Sequence, residues 1–228
     1  MDPTQAVRRE LVVLPQPALG PLQLRRLQSL GLAWPDDATL GLLGALPTRL
    51  PTPPGPRPRS WWRQVYCLVG MAARLHPHEP RHGAALAAVH CGVLALIAAH
   101  AQAALGLAQE RARHDAAALD ACLAAQGLDL AGLILDLAVH WRLPAGLVAS
   151  YADPGSALRQ VVPVGSWLLH LKRMPAPLAP GVQDPGPAAL AGLRLGPEGL
   201  VGAITALSEA VDDGRRLARA ILELPTAC

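Results

Sequence analysis

The sequence contains no phenylalanine, and aromatic residues make up only 3% of its 228 residues. A hydrophobic core in this chain must therefore be built from Leu, Ala and Val. Ala and Leu have high helix propensity, whereas the β-branched and aromatic residues that favour strands are scarce. The composition predicts an all-α fold.

Charged residues are also few, at 16% of the chain, while hydrophobic residues make up 51%. This balance is the reverse of the one that keeps a chain disordered. The formal net charge is only +3, and the basic residues are scattered instead of forming a stripe. We therefore expect no nucleic-acid partner.

The cysteines form no C-x-x-C pair, which argues against a zinc or redox motif. Four are present, at Cys67, Cys91, Cys122 and Cys228. Their apolar surroundings indicate free thiols in a reducing compartment. Because the N-terminus lacks the basic-then-apolar layout of a secretory signal, we expect a cytoplasmic protein.

One long uncharged run, residues 82–109, exceeds the length of about 20 residues that a membrane-spanning helix needs. The run is mostly Ala and contains His90, His100 and Gln102. Polar groups inside a bilayer are costly. The run is therefore interpreted as a central helix of an all-α domain, and we expect no membrane partner.

Two proline-rich stretches, Pro47 to Pro58 and Pro175 to Pro187, interrupt the helical pattern. Proline lacks the backbone N–H and disfavours helix at the preceding residue, so both stretches are predicted to be loops. The predicted organisation is an N-terminal helical segment with a proline-rich linker (1–59) and a helical domain (60–228) that contains the loop 175–187.

Apolar residues at steps of three and four predict consecutive helices in the second part. Seven helices are predicted: one that ends near His76, one over Ala84 to Ala108, one from Asp115 to Gln126, one after the N-cap Asp129, one that starts at Pro144, one over Val161 to Leu171, and one that begins at Pro197. Gly127 suits the left-handed position after a helix. Gly214 lies inside the last helix and allows a kink or a break there.

The known catalytic motifs are absent. The only lysine, Lys172, does not follow a glycine, which excludes a phosphate-binding P-loop. Ser166 lies in Val-Gly-Ser-Trp, which lacks the second glycine of a nucleophile elbow. We expect no catalytic residues and no enzyme activity.

A cluster of His76, His78, Glu79 and His82 carries side chains that bind metals. Pro77 and Pro80 place these residues in an exposed loop, which lacks the rigid surroundings that aim metal ligands. We therefore expect no metal and no cofactor.

Three segments match the residue patterns of one known family. The first is Trp62-Arg63-Gln64-Val65 followed by Ala72 and Ala73, the second is Gly92-Val93-Leu94-Ala95-Leu96-Ile97-Ala98, and the third contains Gly127, Asp129, Ala131, Trp141, Leu143 and Pro144 in order and spacing. They resemble the Leu-Trp-x-His-Ser, Gly-Leu-Leu-His-Asp-Ile-Gly and Leu-Gly-x-Asp-His-Ala to Trp-x-Leu-Pro patterns of HDOD domains. The resemblance covers about residues 61–172 and implies an HDOD/HD-like multi-helix bundle, related to the HD phosphohydrolases.

The chain departs from the family at the metal-binding positions. Gln64 stands where the family has its first histidine, Ala95 and Leu96 replace the His-Asp pair, and Leu130 replaces a further histidine. Ala and Leu offer no donor atoms, so metal-activated hydrolysis cannot operate at these positions. HDOD domains are regulatory modules, and this chain resembles a degenerate member.

The resemblance implies a non-catalytic bacterial regulatory or signal-transduction protein that acts by binding a protein or a small ligand. The candidate binding residues are Arg63, Gln64, Trp141 and Arg142, at the rim of the family's active site. A homo-oligomer through the amphipathic last helix is a further expectation.

Two alternatives stay open. One is a residual metal-dependent phosphohydrolase that uses the His76, His78, Glu79 and His82 cluster, and the other is a structural helical scaffold.

Overall fold

The computed structural model describes residues 2–51, 58–76, 79–111, 118–153, 155–171, 190, 191, 193, 195 and 197–224. Within these ranges the chain forms eleven α-helices and no β-strand, which confirms the predicted all-α multi-helix bundle. The helices are α1 (Pro3–Val13), α2 (Pro21–Gln28), α3 (Asp37–Arg49), α4 (Pro58–Leu75), α5 (Pro80–His100), α6 (Gln102–Arg111), α7 (Ala118–Ala124), α8 (Leu130–His140), α9 (Ala145–Ala152), α10 (Leu158–Leu171) and α11 (Pro197–Leu222).

Helix α5 lies at the centre of the bundle. Every residue from Gly83 to Ala98 is buried, and the helix packs against α1, α3, α4, α8 and α10. Among the described helices it is the one long and apolar enough to cross a membrane, and 89% of its apolar window is buried inside the protein. A helix that is apolar on all sides and covered by its neighbours is typical of the centre of a bundle.

Helix α4 approaches α5 and α11 so closely that the contact positions are occupied by glycine. A Cβ atom at Gly70 would overlap the carbonyl oxygen of Ala210 on α11, and one at Gly83 would overlap the carbonyl oxygen of Ala72 on α4. A Cβ at Gly214 would overlap the carbonyl oxygen of Tyr66. Helix α11 runs unbroken through Gly214, so the kink or break that the sequence allows is absent.

Pro47 lies inside α3, which continues to Arg49, so the prediction that the loop begins at Pro47 is wrong. Proline cannot donate to the carbonyl of the residue four positions earlier, here Leu43. The hydroxyl of the fully buried Tyr66 on α4 donates to that carbonyl oxygen at 2.7 Å. The tertiary contact replaces the missing helical hydrogen bond, and residues 52–57 of the stretch lie outside the described ranges.

The single helix predicted over Ala84 to Ala108 is also wrong, because the chain leaves the helical region at Ala101, with φ −141° and ψ 41°. Neither glycine nor proline marks this point, so no local pattern predicts the break. Other boundaries are confirmed. Gly127 has φ 76°, and Asp129 caps α8 by accepting a hydrogen bond from the Gly132 N–H at 2.9 Å. Pro144, predicted to start a helix, is instead the N-cap of α9, which begins one residue later at Ala145.

The N-terminal helices share the core of the other helices. Helix α1 packs against α5 and α8, α2 against α3 and α11, and α3 against α5. The side chains of Val7, Leu11 and Leu43 belong to the same cluster of buried residues as Leu68 and Leu94. The predicted starting point Asp115 and the predicted loop 175–187 lie outside the described ranges.

Replacing Gly214 with Ala is expected to destabilise the protein by roughly 2 kcal/mol, because the new methyl group pushes α11 away from α4. Gly202→Ala is the matched control on the same helix. It has open space around its Cβ position and should stabilise by up to about 1 kcal/mol through helix propensity. Urea unfolding of both variants measures the difference, and equal stabilities would contradict the close approach.

Tyr66→Phe is expected to cost about 1–3 kcal/mol, since it leaves the buried Leu43 carbonyl without a donor. Adding Pro47→Ala restores a backbone N–H to that carbonyl. In a double-mutant cycle measured by urea unfolding, the double variant should therefore lose about 1 kcal/mol less than the sum of the single variants. Additive effects would show that the hydroxyl does not substitute for the missing donor.

Candidate functional site

A cleft of about 510 Å³ opens between the start of α3, the start of α5 and the corner that joins α8 to α9. Its walls are formed by Gln16, Pro17, Asp36, Ala38, Thr39, Leu42, Glu79, Arg81, His82, Ala85, Trp141, Arg142, Leu143 and Pro144. The volume is within the range of about 300–1,000 Å³ that is typical of small-molecule sites. The cleft combines apolar walls with a few charged groups.

The α8–α9 corner owes its shape to the end of α8. The Arg142 N–H donates to the Val139 carbonyl at 3.0 Å, and the Leu143 N–H donates to the Ala138 carbonyl at 2.9 Å. This pair of bonds is a Schellman motif, which requires a left-handed residue after the helix. Arg142 takes that position, with φ 54°.

The segment after α1 forms the facing wall and is tied to the end of α8. Nε2 of His140 lies 2.7 Å from the carbonyl oxygen of Leu14, which can only accept a hydrogen bond. The side-chain amide of Gln16 in turn donates to the carbonyl of His140. These bonds hold the wall and the corner together.

The acidic groups of the cleft are engaged by Arg81 and His82. Arg81 lies 3.3 Å from a carboxylate oxygen of Asp36 and 3.2 Å from one of Glu79. Glu79 also lies 3.0 Å from Nε2 of His82. Partial burial raises the pKa of Asp36, but hydrogen bonds from Thr39 and the charge of Arg81 outweigh burial, so the pKa lies below its usual value of 3.8.

Among the described residues Arg142 lacks such a partner, and the residue before it, Trp141, has a buried N–H that is unpaired. The exposed Arg142 forms no ion pair within the described ranges. Trp141 is 4% exposed, and its buried indole N–H has no hydrogen-bond partner among the described residues. An indole nitrogen acts only as a donor, and burying it unpaired is unfavourable.

The structure divides the four candidate residues from the sequence into two pairs. Trp141 and Arg142 line the cleft together. Arg63 is exposed and Gln64 is half-buried on α4, where the Gln64 amide lies 3.4 Å from Oγ of Ser60; neither lines the cleft. A role for Arg63 and Gln64 stays a prediction.

Sequence reasoning missed the contribution of Asp36 and Arg81. Asp36 caps α3 by accepting a hydrogen bond from the Thr39 N–H at 2.8 Å. Its contact with Arg81 joins positions 45 residues apart. No local pattern indicates such a pair, because it depends on the packing of α3 against α5.

Two histidines of the predicted cluster lie close together. The rings of His76 and His82 are 6.0 Å apart in an edge-on arrangement, and Nδ1 of His76 accepts a hydrogen bond from the Glu79 N–H at 2.8 Å. His78 lies outside the described ranges. Within those ranges no three His, Cys, Asp or Glu side chains are placed to hold a metal ion.

The positions that the resemblance aligns with metal ligands of HDOD-related proteins are apolar and buried, except Gln64. Ala95 is 0% exposed, Leu96 1% and Leu130 2%. The interior also holds His90, where burial lowers the pKa of the ring to about 4, so it is neutral near pH 7. These side chains do not fit a metal centre.

Comparisons with protein-family models, with curated proteins and with solved structures find no match to this chain.

Asp36→Ala is expected to cost about 1 kcal/mol, because the cap of α3 is lost. Asp37→Ala, the matched control, removes an exposed hydrogen bond to Gln28 and a first-turn carboxylate but leaves the cap in place, and it should cost less. The pKa of Asp36 is lowered by folding, so its contribution is complete above pH 3.8 and is lost as the pH falls through the folded-state value. Urea unfolding at pH 7 and at acid pH measures both effects. An unchanged difference at acid pH would contradict this account.

Proposed function

We propose that this chain is a non-catalytic regulatory protein of the HDOD type that acts in the bacterial cytoplasm by binding a protein or a small ligand. The observation that carries the proposal is the cleft at the α8–α9 corner, where the exposed Arg142 forms no ion pair among the described residues. An unpaired charge in a concave site is a group that a ligand can engage.

The arrangement of the helices supports the proposal. The three segments that resemble HDOD domains lie on α4, on α5, and across α8 and its two ends. Helix α5 packs against both α4 and α8. The segments that carry the resemblance therefore belong to helices joined through one central helix.

The chemistry of the donor set argues against hydrolysis at the family's metal site. Ala95, Leu96 and Leu130 present only hydrocarbon, and Gln64 alone offers an amide. A catalytic metal needs several nitrogen or carboxylate ligands. No catalytic step is therefore assigned to these positions.

The proposed partner is a protein, with a second copy of the chain as a further partner. On α11 the apolar residues Leu207, Val211 and Leu217 are buried, and the helix packs against α4. Val201 and Ile204, in its N-terminal half, are 65% and 38% exposed. We propose that a homo-oligomer, if formed through this helix, uses its N-terminal half.

The test is charge reversal at the cleft. Three baits are compared in extracts of the native organism: the unchanged chain, Arg142→Glu, and the control Arg215→Glu on the exposed face of α11. We expect the partners of the unchanged chain to be retained by Arg215→Glu and reduced at least tenfold with Arg142→Glu. Partners that persist with Arg142→Glu would contradict binding through the cleft and favour a structural scaffold.

A residual metal-dependent phosphohydrolase is the second candidate, favoured by the contact between Glu79 and His82 in the same cleft. Elemental analysis of the purified chain and hydrolysis of bis-p-nitrophenyl phosphate with added Mn²⁺ separate the two functions. We expect less than one metal per ten chains and no turnover. Stoichiometric metal, with turnover abolished by His82→Gln, would reverse the assignment.

A further inference from the structure

The left-handed residue that ends α8 is an arginine, although the same conformation elsewhere is taken by glycine. The described residues contain three positive-φ positions, Gly31 with φ 64°, Gly127 with φ 76° and Arg142 with φ 54°. The turn at Gly127 has the same pair of bonds, from Gly127 N–H to Ala124 and from Leu128 N–H to Leu123, both at 2.9 Å. A side chain in this conformation is strained, and glycine avoids the strain.

The strain at Arg142 coincides with a free charge. The residue lines the cleft, is exposed, and has no ion-pair partner within the described ranges. A strained residue at a concave site is a reason to infer a binding role. A guanidinium presents its N–H groups in a planar fork that matches the two oxygens of a carboxylate or a phosphate.

The other charges of the cleft decide between these two anions. Asp36 and Glu79 are carboxylates, and Arg81 lies between them at 3.3 and 3.2 Å. Two positive and two negative side chains therefore line the cleft. Arg81 is paired with Asp36 and Glu79, so only Arg142 is left to balance the charge of a ligand. Its single charge matches a ligand with one carboxylate, whereas a phosphate monoester with two negative charges would also be repelled by Asp36 and Glu79.

The remaining walls indicate the rest of the ligand. Leu42, Ala85, Leu143 and Pro144 give the cleft an apolar lining, which favours a hydrocarbon body. Trp141, next to Arg142 in the chain, also lines the cleft, so a ligand bound there changes the surroundings of its indole ring.

We propose that the cleft binds small monocarboxylates with an apolar body, whose carboxylate contacts the Arg142 guanidinium. The inference rests on the proposed function, because it names the ligand class of the same cleft.

The test uses 3-phenylpropionate as the probe, with 3-phenyl-1-propanol and phenyl phosphate as matched probes without a carboxylate. The indole N–H signals of the full-length chain are followed by NMR, and Trp141→Phe assigns the signal of Trp141. We expect a saturable shift of that signal with a dissociation constant of about 1–10 mM, as is typical of probes of this size. The alcohol and the phosphate should bind at least tenfold more weakly.

Arg142→Gly gives two effects of opposite sign. Removing the strained side chain should raise Tm by about 2–4 °C, while the affinity for 3-phenylpropionate should fall at least tenfold. The control Arg215→Gln removes one exposed positive charge outside the cleft and should leave the affinity unchanged. A structural role for Arg142 would predict a lower Tm without a specific loss of binding.

No shift of the Trp141 signal at about 10 mM probe, equal binding of the three probes, or unchanged affinity in Arg142→Gly would each overturn the inference. The outcome is separable from that of the proposed function. If Arg142→Glu loses the protein partners but the probe does not bind, the regulatory function stands and the ligand class is wrong. If the probe binds but no partner depends on Arg142, the ligand class stands and the protein partner is wrong.

Discussion

Backbone contact at three glycines holds α4 between α5 and α11. Large aromatic side chains are few in this chain, so most of its helix axes must lie close together for Ala, Leu and Val to exclude water. Gly70, Gly83 and Gly214 allow this approach, because any Cβ there overlaps a carbonyl oxygen of the neighbouring helix. The burial of α5 on all sides depends on the same approach.

The cleft depends on this core because each of its walls belongs to a helix end that the core positions. The start of α3 and the start of α5 bring Asp36 against Arg81, and the end of α8 carries Trp141 and Arg142. The bonds from His140 and Gln16 then join α8 to the segment after α1. The helix ends that form the cleft are thereby held in place without a ligand, which reduces the entropic cost of binding.

The interior of the molecule and the rim of the cleft differ in how their side chains are packed and paired. In the interior, Ala95, Leu96 and Leu130 are packed as hydrocarbon, and this packing stabilises the bundle where the HDOD resemblance would place metal ligands. At the surface, Arg142 keeps an unpaired charge in a strained backbone conformation. The interior packing therefore stabilises the bundle, whereas the strained conformation of Arg142 at the rim destabilises it. Local strain of this kind is expected at functional sites.

The helical class, the cap at Asp129, the left-handed turn at Gly127 and the start of α9 near Pro144 follow from the sequence alone. Each depends on residue propensity or on hydrogen bonds between residues a few positions apart. The sequence also identifies Trp141 and Arg142 as candidates, but only through the resemblance. Tertiary structure alone decided that α3 continues through Pro47, because the compensating donor is Tyr66 on another helix, and that the chain breaks at Ala101. It also decided that Asp36, Arg81 and Arg142 share one cleft, because residues far apart in the chain meet only through the packing of the helices that carry them.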